Sequence, residues 1–532
     1  MNRPLLSRIR WLIILSTLAV TTPAFAGDWD ELQKVVASDR AQLARFGGSV
    51  SMDGDYAIVG ATLESMDESG GNMLYAAGAA YIFIRQGGVW VQQQKLVAAD
   101  RHAQACFGSS VSISGSFAIV GALYEPYNSV SRDSVFRAGA AYIFERSGTT
   151  WSQVRKVVAP QRGADDDFGV SVGISGTYAI VGAWRHDLGA GGGGAVNGAG
   201  AAYIYLRADT GWAQQQKITA GVRQVGAGFG YSAAISGNRA IVGAMEEDSG
   251  SLGDAGAAYI FRRNDTTWVQ EEKLVAFDAE GSNEFGWSVS ISGDDAAIGA
   301  YRAHYDGPGS RVNMAGCVYV HVRSDTDWVQ QQQVFSDFRS NAQGFGYSVS
   351  ISGDNMIGGT EAWRAHVFAR SGGIWTEVRQ LVAHDSLVTD DFGNAVALSG
   401  AYAMVGAPNN WLDPSGENSL PQAGAVYVFG PGSSGVGDYS DEHVPGNFRL
   451  HQNYPNPFNP STVIRYDLPH ASVVELALFN ALGQRLALLF EGEQEAGYHD
   501  VRFEGRGFAS GVYFYRIRAG AQVATRKMVL MR

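Results

Sequence analysis

Cys106 to Val158 reads CFGSSVSISGSFAIVGALYEPYNSVSRDSVFRAGAAYIFERSGTTWSQVRKVV. Phe-Gly is followed by a short run ending Ile-Ser-Gly, then Ala-Ile-Val-Gly-Ala, a variable loop, Ala-Gly-Ala-Ala-Tyr-Ile-Phe and a Trp-led polar run. SVSIS alternates small polar and apolar residues, the signature of a half-buried strand. AIVGA is short and wholly apolar, as a strand covered on both faces requires. AAYIF is rich in residues that suit strands. The Trp-led run is polar enough to blunt an exposed sheet edge. Helical period is absent, so the unit reads as four short antiparallel strands.

The same skeleton recurs along the chain. Phe-Gly pairs begin at Phe46, Phe107, Phe168, Phe229, Phe285, Phe345 and Phe392. A repeat of this length built from four strands is a propeller blade. Ser, Gly and Ala dominate the first two strands, where blades crowd the axis. Tyr, Phe and Trp dominate the outer two, where more volume needs filling. The expected fold class is therefore all-β: a seven-bladed β-propeller over residues 27–430.

Trp-led runs start at Trp29, Trp90, Trp151, Trp212, Trp268, Trp328 and Trp375. The first precedes the first Phe-Gly, and nothing Trp-led follows Ala423 to Phe429. Trp29 to Val36 is thus expected to complete the last blade, removing two free sheet edges.

These units resemble FG-GAP repeats, the blades of integrin α-chain propellers and of many secreted bacterial proteins. Phe46-Gly47 with Val59-Gly60-Ala61, and Phe392-Gly393 with Val405-Gly406-Ala407-Pro408, carry the motif. The resemblance implies calcium loops of Asp-x-Asp-x-Asp-Gly type between the first and second strands. Here those places hold tight turns such as Ser114-Gly115-Ser116 and Ser175-Gly176-Thr177. So short a turn cannot supply the six or more oxygens calcium takes. No cofactor and no metal is expected.

Residues 1–26 read as a signal peptide. Arg3, Arg8 and Arg10 precede an apolar run too short for a bilayer, and Ala24-Phe25-Ala26 is a small-x-small cleavage site. No stable membrane span is expected. The net charge of -12 argues against nucleic acid as a partner. Cys106 and Cys317 are separated by three blades and read as two buried thiols rather than a disulfide.

Residues 431–446 are a linker of Gly, Ser and Pro. Residues 447–532 then carry strand-like runs at Val463–Leu468, Val473–Asn480, Arg485–Glu491, Tyr498–Phe503, Gly511–Arg518 and Gln522–Leu530. They read as a small antiparallel β-sandwich, immunoglobulin-like. This region closely resembles the C-terminal sorting domain of type IX secretion substrates. The matching residues are Gln452 to Pro460, Asn480 to Gln484, Ala496-Gly497, Ala509 to Tyr513 and Lys527-Met528. The resemblance implies recognition by the type IX secretion machinery in the periplasm, and a product that is secreted or held at the outer cell surface.

No catalytic constellation is visible. The ten histidines show no ligand spacing such as His-x-x-x-His, and Gly191 to Gly194 lacks the Lys of a phosphate loop. Asp165-Asp166-Asp167 and Asp390-Asp391 precede Phe-Gly pairs and read either as cation collectors or as solvated loop charges. Strand alternation puts the second-to-third loop and the blade-to-blade loop on one face, and these hold nearly all the variation between units. Function on such scaffolds sits in loops. Candidate ligand-binding residues there are Tyr124, Tyr127, Trp184, Arg185, Tyr301, Arg302, Tyr305, Trp363 and Trp411. Aromatic and Arg side chains lead at binding hot spots, although the same rings could cap the core between blades. The expected function is a binding or adhesion module for glycan or protein ligands. The alternative is a carbohydrate-active enzyme, a lyase or hydrolase, working on the loop face.

Overall fold

The computed structural model describes residues 29–128, 133–189, 194–307, 310–361, 363–385, 389–415, 418–431, 448–450, 453, 458, 460–480, 482–494 and 497–531. The expected signal peptide, the glycine run 191–193, residues 432–446 of the linker and most of residues 452–460 lie outside them. The chain divides into two compact units, Met1–Ser433 and Ser434–Arg532. Among the described residues there is no helix, and hence none long and apolar enough to cross a membrane.

The first unit holds seven four-stranded antiparallel sheets. Blade 2 is typical: Phe107–Ser114, Phe117–Ala122, Ala140–Ser147 and Thr150–Val157, paired in that order. The innermost strands touch in cyclic sequence, the last against the first, so the blades form a closed ring. Blade 7 takes its outer strand from the other end of the chain. Trp29–Val35 pairs antiparallel with Ala425–Pro431, from Trp29 opposite Pro431 to Val35 opposite Val426.

The Phe-Gly pair is where blades meet. Phe107 is buried and lies edge-on to Tyr142 and Phe144 at 5.4 and 6.1 Å. Gly108 has φ +89°, and a Cβ there would lie 2.2 Å from the Ala79 carbonyl oxygen of the preceding blade. A Cβ on Gly60, in the Val-Gly-Ala run, would lie 2.1 Å from the Gly108 carbonyl oxygen. No side chain fits so close a backbone approach, so the motif needs glycine at both places. Ser49 Oγ then donates to that Gly108 carbonyl at 2.9 Å. The same bond recurs at Ser110, Ser171, Ser232, Ser288 and Ser348, and Ala395 holds the seventh position.

The outer strands do more than blunt edges. Gln94 Nε2 donates to the Trp151 carbonyl at 2.8 Å, and its Oε1 accepts from the Trp151 N–H at 2.8 Å. Gln33 clasps Trp90, Gln216 clasps Trp268 and Gln332 clasps Trp375 in the same way. One side-chain amide thus copies a backbone pairing across the blade gap. The residue before each clasp holds the next indole: Gln93, Gln215 and Gln331 accept from Trp151, Trp268 and Trp375 Nε1. Leu32 and Val154 stand in that place before Trp90 and Trp212, whose buried indole N–H groups have no partner among the described residues.

The second unit is two antiparallel sheets over one core. Arg449–Leu450, Ser461–Leu468 and Gly497–Glu504 form one. Ser472–Phe479, Arg485–Gln494, Gly511–Ala519 and Gln522–Leu530 form the other. Tyr466, Leu476, Tyr515, Ile517 and Met528 are buried between them. Asn453 is buried too: its N–H donates to the Tyr515 hydroxyl at 2.7 Å and its Nδ2 to Thr462 Oγ1 at 2.9 Å. Asn480 Oδ1 accepts from the Leu482 and Gln484 N–H groups, both at 3.0 Å, which closes that turn.

Candidate functional site

Blade order places three aromatic side chains side by side at the loop end of the axis. Tyr231, Trp287 and Tyr347 each stand two residues after the Phe of a Phe-Gly pair, in blades 4, 5 and 6. The Tyr231 and Trp287 centroids are 4.8 Å apart, and those of Trp287 and Tyr347 5.4 Å. Trp184 and Tyr301, each directly after a Gly-Ala, extend the set. Trp184 meets Tyr231 edge-on at 5.5 Å, and Tyr301 lies 4.4 Å from Trp287 and 5.5 Å from Tyr347. Five rings from four blades form one arc. Trp184, Tyr231, Trp287 and Tyr347 are half-buried, while Tyr301 is 4% exposed and supports the others from beneath.

Carboxylates flank the arc. Asp167 and Glu284 each precede a Phe-Gly pair with φ near +50°. Asp167 accepts from Trp184 Nε1 at 3.1 Å and from Arg137 at 3.2 Å. Glu284 pairs with Arg302 at 2.6 Å. Burial raises the carboxyls of Asp167, Glu246 and Glu284 above their ordinary range, against the pull of nearby arginines. Asp391 is raised for the same reason, opposed by Arg45 and by its hydrogen bond with Asn409. Incompletely neutralised carboxyls beside aromatic planes suit hydrogen bonds to hydroxyl or amine groups of a ligand.

The residues expected from sequence fall into two groups. Trp184, Arg185, Tyr301 and Arg302 belong to the arc; Arg185 stacks on Trp184 at 4.2 Å and is exposed. Tyr124 joins it indirectly, lying under the Arg137 guanidinium at 4.0 Å. The other four pack elsewhere on the rim. Tyr127 lies 4.3 Å from His102, and Tyr305 packs on Phe335 at 4.8 Å and under Arg339. Trp363 packs on the core between blades 6 and 7, and Trp411 is 45% exposed.

Tyr231, Trp287 and Tyr347 were not singled out from sequence. Their signal was the residue after Phe-Gly, which runs Gly48, Ser109, Val170, Tyr231, Trp287, Tyr347, Asn394. The aspartate clusters also need correction, since Asp166, Asp167 and Asp390 are buried and are not solvated loop charges. Asp166 receives His186 Nδ1 at 2.8 Å, and Asp390 receives Asn410 Nδ2 at 2.8 Å.

Asp100, His102 and Glu125 could hold a metal ion by proximity. A cation of the chain already stands there: Lys156 Nζ lies 2.7 Å from Asp100 and 3.1 Å from Glu125. Cys106 and Cys317 are both free and buried, which pushes their thiols up to about 11 and about 12.

Residues 29–83, 90–144, 151–205, 212–261, 268–321 and 375–429 match the FG-GAP repeat family. Residues 452–531 match the secretion system C-terminal sorting domain. That domain marks the chain as secreted or displayed at the outer surface. No curated protein matches the chain. Among solved structures, the crystal structure of the Saccharomyces cerevisiae Sqt1 is 10% identical, covering 76% of this chain and 100% of that one, at a TM-score of 0.39.

Proposed function

We propose, from the premise that this chain belongs to the FG-GAP repeat family, that its propeller is a non-catalytic binding module for a glycan or protein ligand outside the cell. In this reading residues 1–26 are removed as a signal peptide, residues 27–430 form the module, and residues 431–446 tether it to the sorting domain, residues 447–532. The carrying observation is the arc of Trp184, Tyr231, Trp287, Tyr301 and Tyr347. Aromatic planes stack on the apolar faces of sugar rings, and the flanking carboxylates and Arg185 accept from or donate to hydroxyls. A glycan therefore fits the arc best. Clustered aromatic anchors of this kind dominate binding energy where they occur.

The test is a glycan array probed with the purified chain, followed by titration of the hits. Trp287→Ala should weaken binding by about 2 kcal/mol, roughly thirtyfold. Thr177→Ala, in a tight turn on the opposite face, should leave it unchanged. Loss of binding in Thr177→Ala with Trp287→Ala unaffected would refute the site. Turnover of a bound glycan would transfer the reading to a lyase or hydrolase.

A further inference from the structure

In blades 1, 2, 4 and 7 a lysine of the outer strand pairs with an acid at the loop end, and blade 3 departs from that pattern. In blade 1, Lys95 Nζ pairs with Asp39 at 2.6 Å and Glu64 at 3.4 Å. In blade 2, Lys156 pairs with Asp100 and Glu125. Each glutamate stands three residues after a Gly-Ala, and each aspartate seven before a Phe-Gly. Each glutamate also accepts a backbone N–H two residues on, from Met66 at 2.7 Å and from Tyr127 at 3.0 Å.

Blade 3 keeps the lysine and loses both carboxylates. Lys217 is the equivalent of Lys95; His186 stands at the glutamate position and Gln161 at the aspartate position. Lys217 Nζ donates only to the Leu188 carbonyl, at 2.7 Å, among the described residues. The Leu188 N–H, which the glutamate would cap, has no acceptor among the described residues. His186 is 2% exposed; its Nδ1 donates to Asp166 and its Nε2 has no partner among the described residues. Burial and Arg223 lower the Lys217 ammonium to about 8, as expected of a lysine whose acids are missing.

We propose that blade 3 binds the carboxylate of a small acid at Lys217 Nζ and the Leu188 N–H, where blades 1 and 2 hold Glu64 and Glu125. The site is independent of the aromatic arc. Lys217 Nζ donates to a backbone carbonyl, whereas Lys95, Lys156 and Lys273 each pair with a carboxylate, and a bound acid would restore that pairing in blade 3.

The test is saturation-transfer NMR on the exported chain with sodium acetate, at constant ionic strength set by sodium chloride. Acetate should receive saturation from the wild-type chain. Asp166→Ala/His186→Glu rebuilds the Ala105 and Glu125 of blade 2 inside blade 3. It should fold, melt no lower than wild type, and lose the acetate signal at least tenfold. Lys217→Gln copies Gln333 of blade 5 and should lose the signal too. Sodium glucuronate distinguishes the source: displacing acetate at lower concentration identifies a sugar-borne carboxylate, and failing to displace it identifies a simple acid. No saturation transfer to acetate in wild type, or an undiminished signal in Asp166→Ala/His186→Glu, would overturn the proposal.

Discussion

Removing the strand that closes the ring is the most demanding test of the fold. Trp29 is buried between blades 6 and 7 with Leu381, Phe392 and Phe429. Val35 and Ala37 are buried between blades 7 and 1 with Phe46 and Val426. One seven-residue strand therefore seals both gaps beside the last blade. Trp29→Ala empties a large buried volume and should cost about 4 kcal/mol. Unfolding entropy of about 2.1 cal/mol/K per residue, over roughly 400 residues, gives ~0.8 kcal/mol/K, so the melting temperature should fall by about 5 °C. Deleting residues 29–37 also removes Val35, the Gln33 clasp on Trp90, and the Lys34 ammonium that pairs with Asp385 at 2.6 Å. The total is on the order of 10 kcal/mol, or about 12 °C. It also bares the edge of Ala425–Pro431, which invites association through unpaired backbone groups. Calorimetry with size-exclusion chromatography reads both effects. A deletion variant that melts within about 2 °C of its parent and stays monodisperse would refute closure by this strand.

Two further perturbations follow from comparing blades. Val154→Gln places an amide where Gln93, Gln215 and Gln331 hold an indole, so the buried Trp212 N–H gains an acceptor; thermal melts should show a gain of about 1 kcal/mol, and a loss would mean that the clasp does not transfer. Burial lowers the His321 imidazole from 6.5 to about 4, so the folded state resists its protonation. Its stabilising contribution is present above pH 6.5 and is lost progressively as pH falls towards 4, about 2 kcal/mol of it by pH 5. His321→Phe, which copies Phe83 and Phe144 in the same strand position, should melt with a smaller difference between pH 7 and pH 5 than wild type, and an unchanged difference would refute this account.

Much of the architecture was written locally. Strand period, the Phe-Gly and Gly-Ala glycines and the Ser-Gly turns each depend on a few neighbouring residues, and together they determined the blade. The surplus Trp run at Trp29 pointed to the strand that pairs with Ala425–Pro431. In the second unit, the six strand-like runs of the sequence correspond to six of the seven strands found.

What the sequence left undecided depends on which blades are neighbours. Tyr231, Trp287 and Tyr347 lie 56 and 60 residues apart along the chain, and only the ring brings them within contact. Tyr301 looked like a rim residue because it follows a Gly-Ala, yet Trp287 and Tyr347 from two blades cover it. The glutamines of the outer strands read as solvent-facing polarity, whereas their partners are backbone groups of the next blade. Asp166 looked like one of three loop charges until His186, twenty residues on, turned it inward. Strand identity follows from side-chain alternation over a handful of residues. Burial and partnership follow from packing between blades some sixty residues apart, so only the tertiary structure decided where the candidate sites lie.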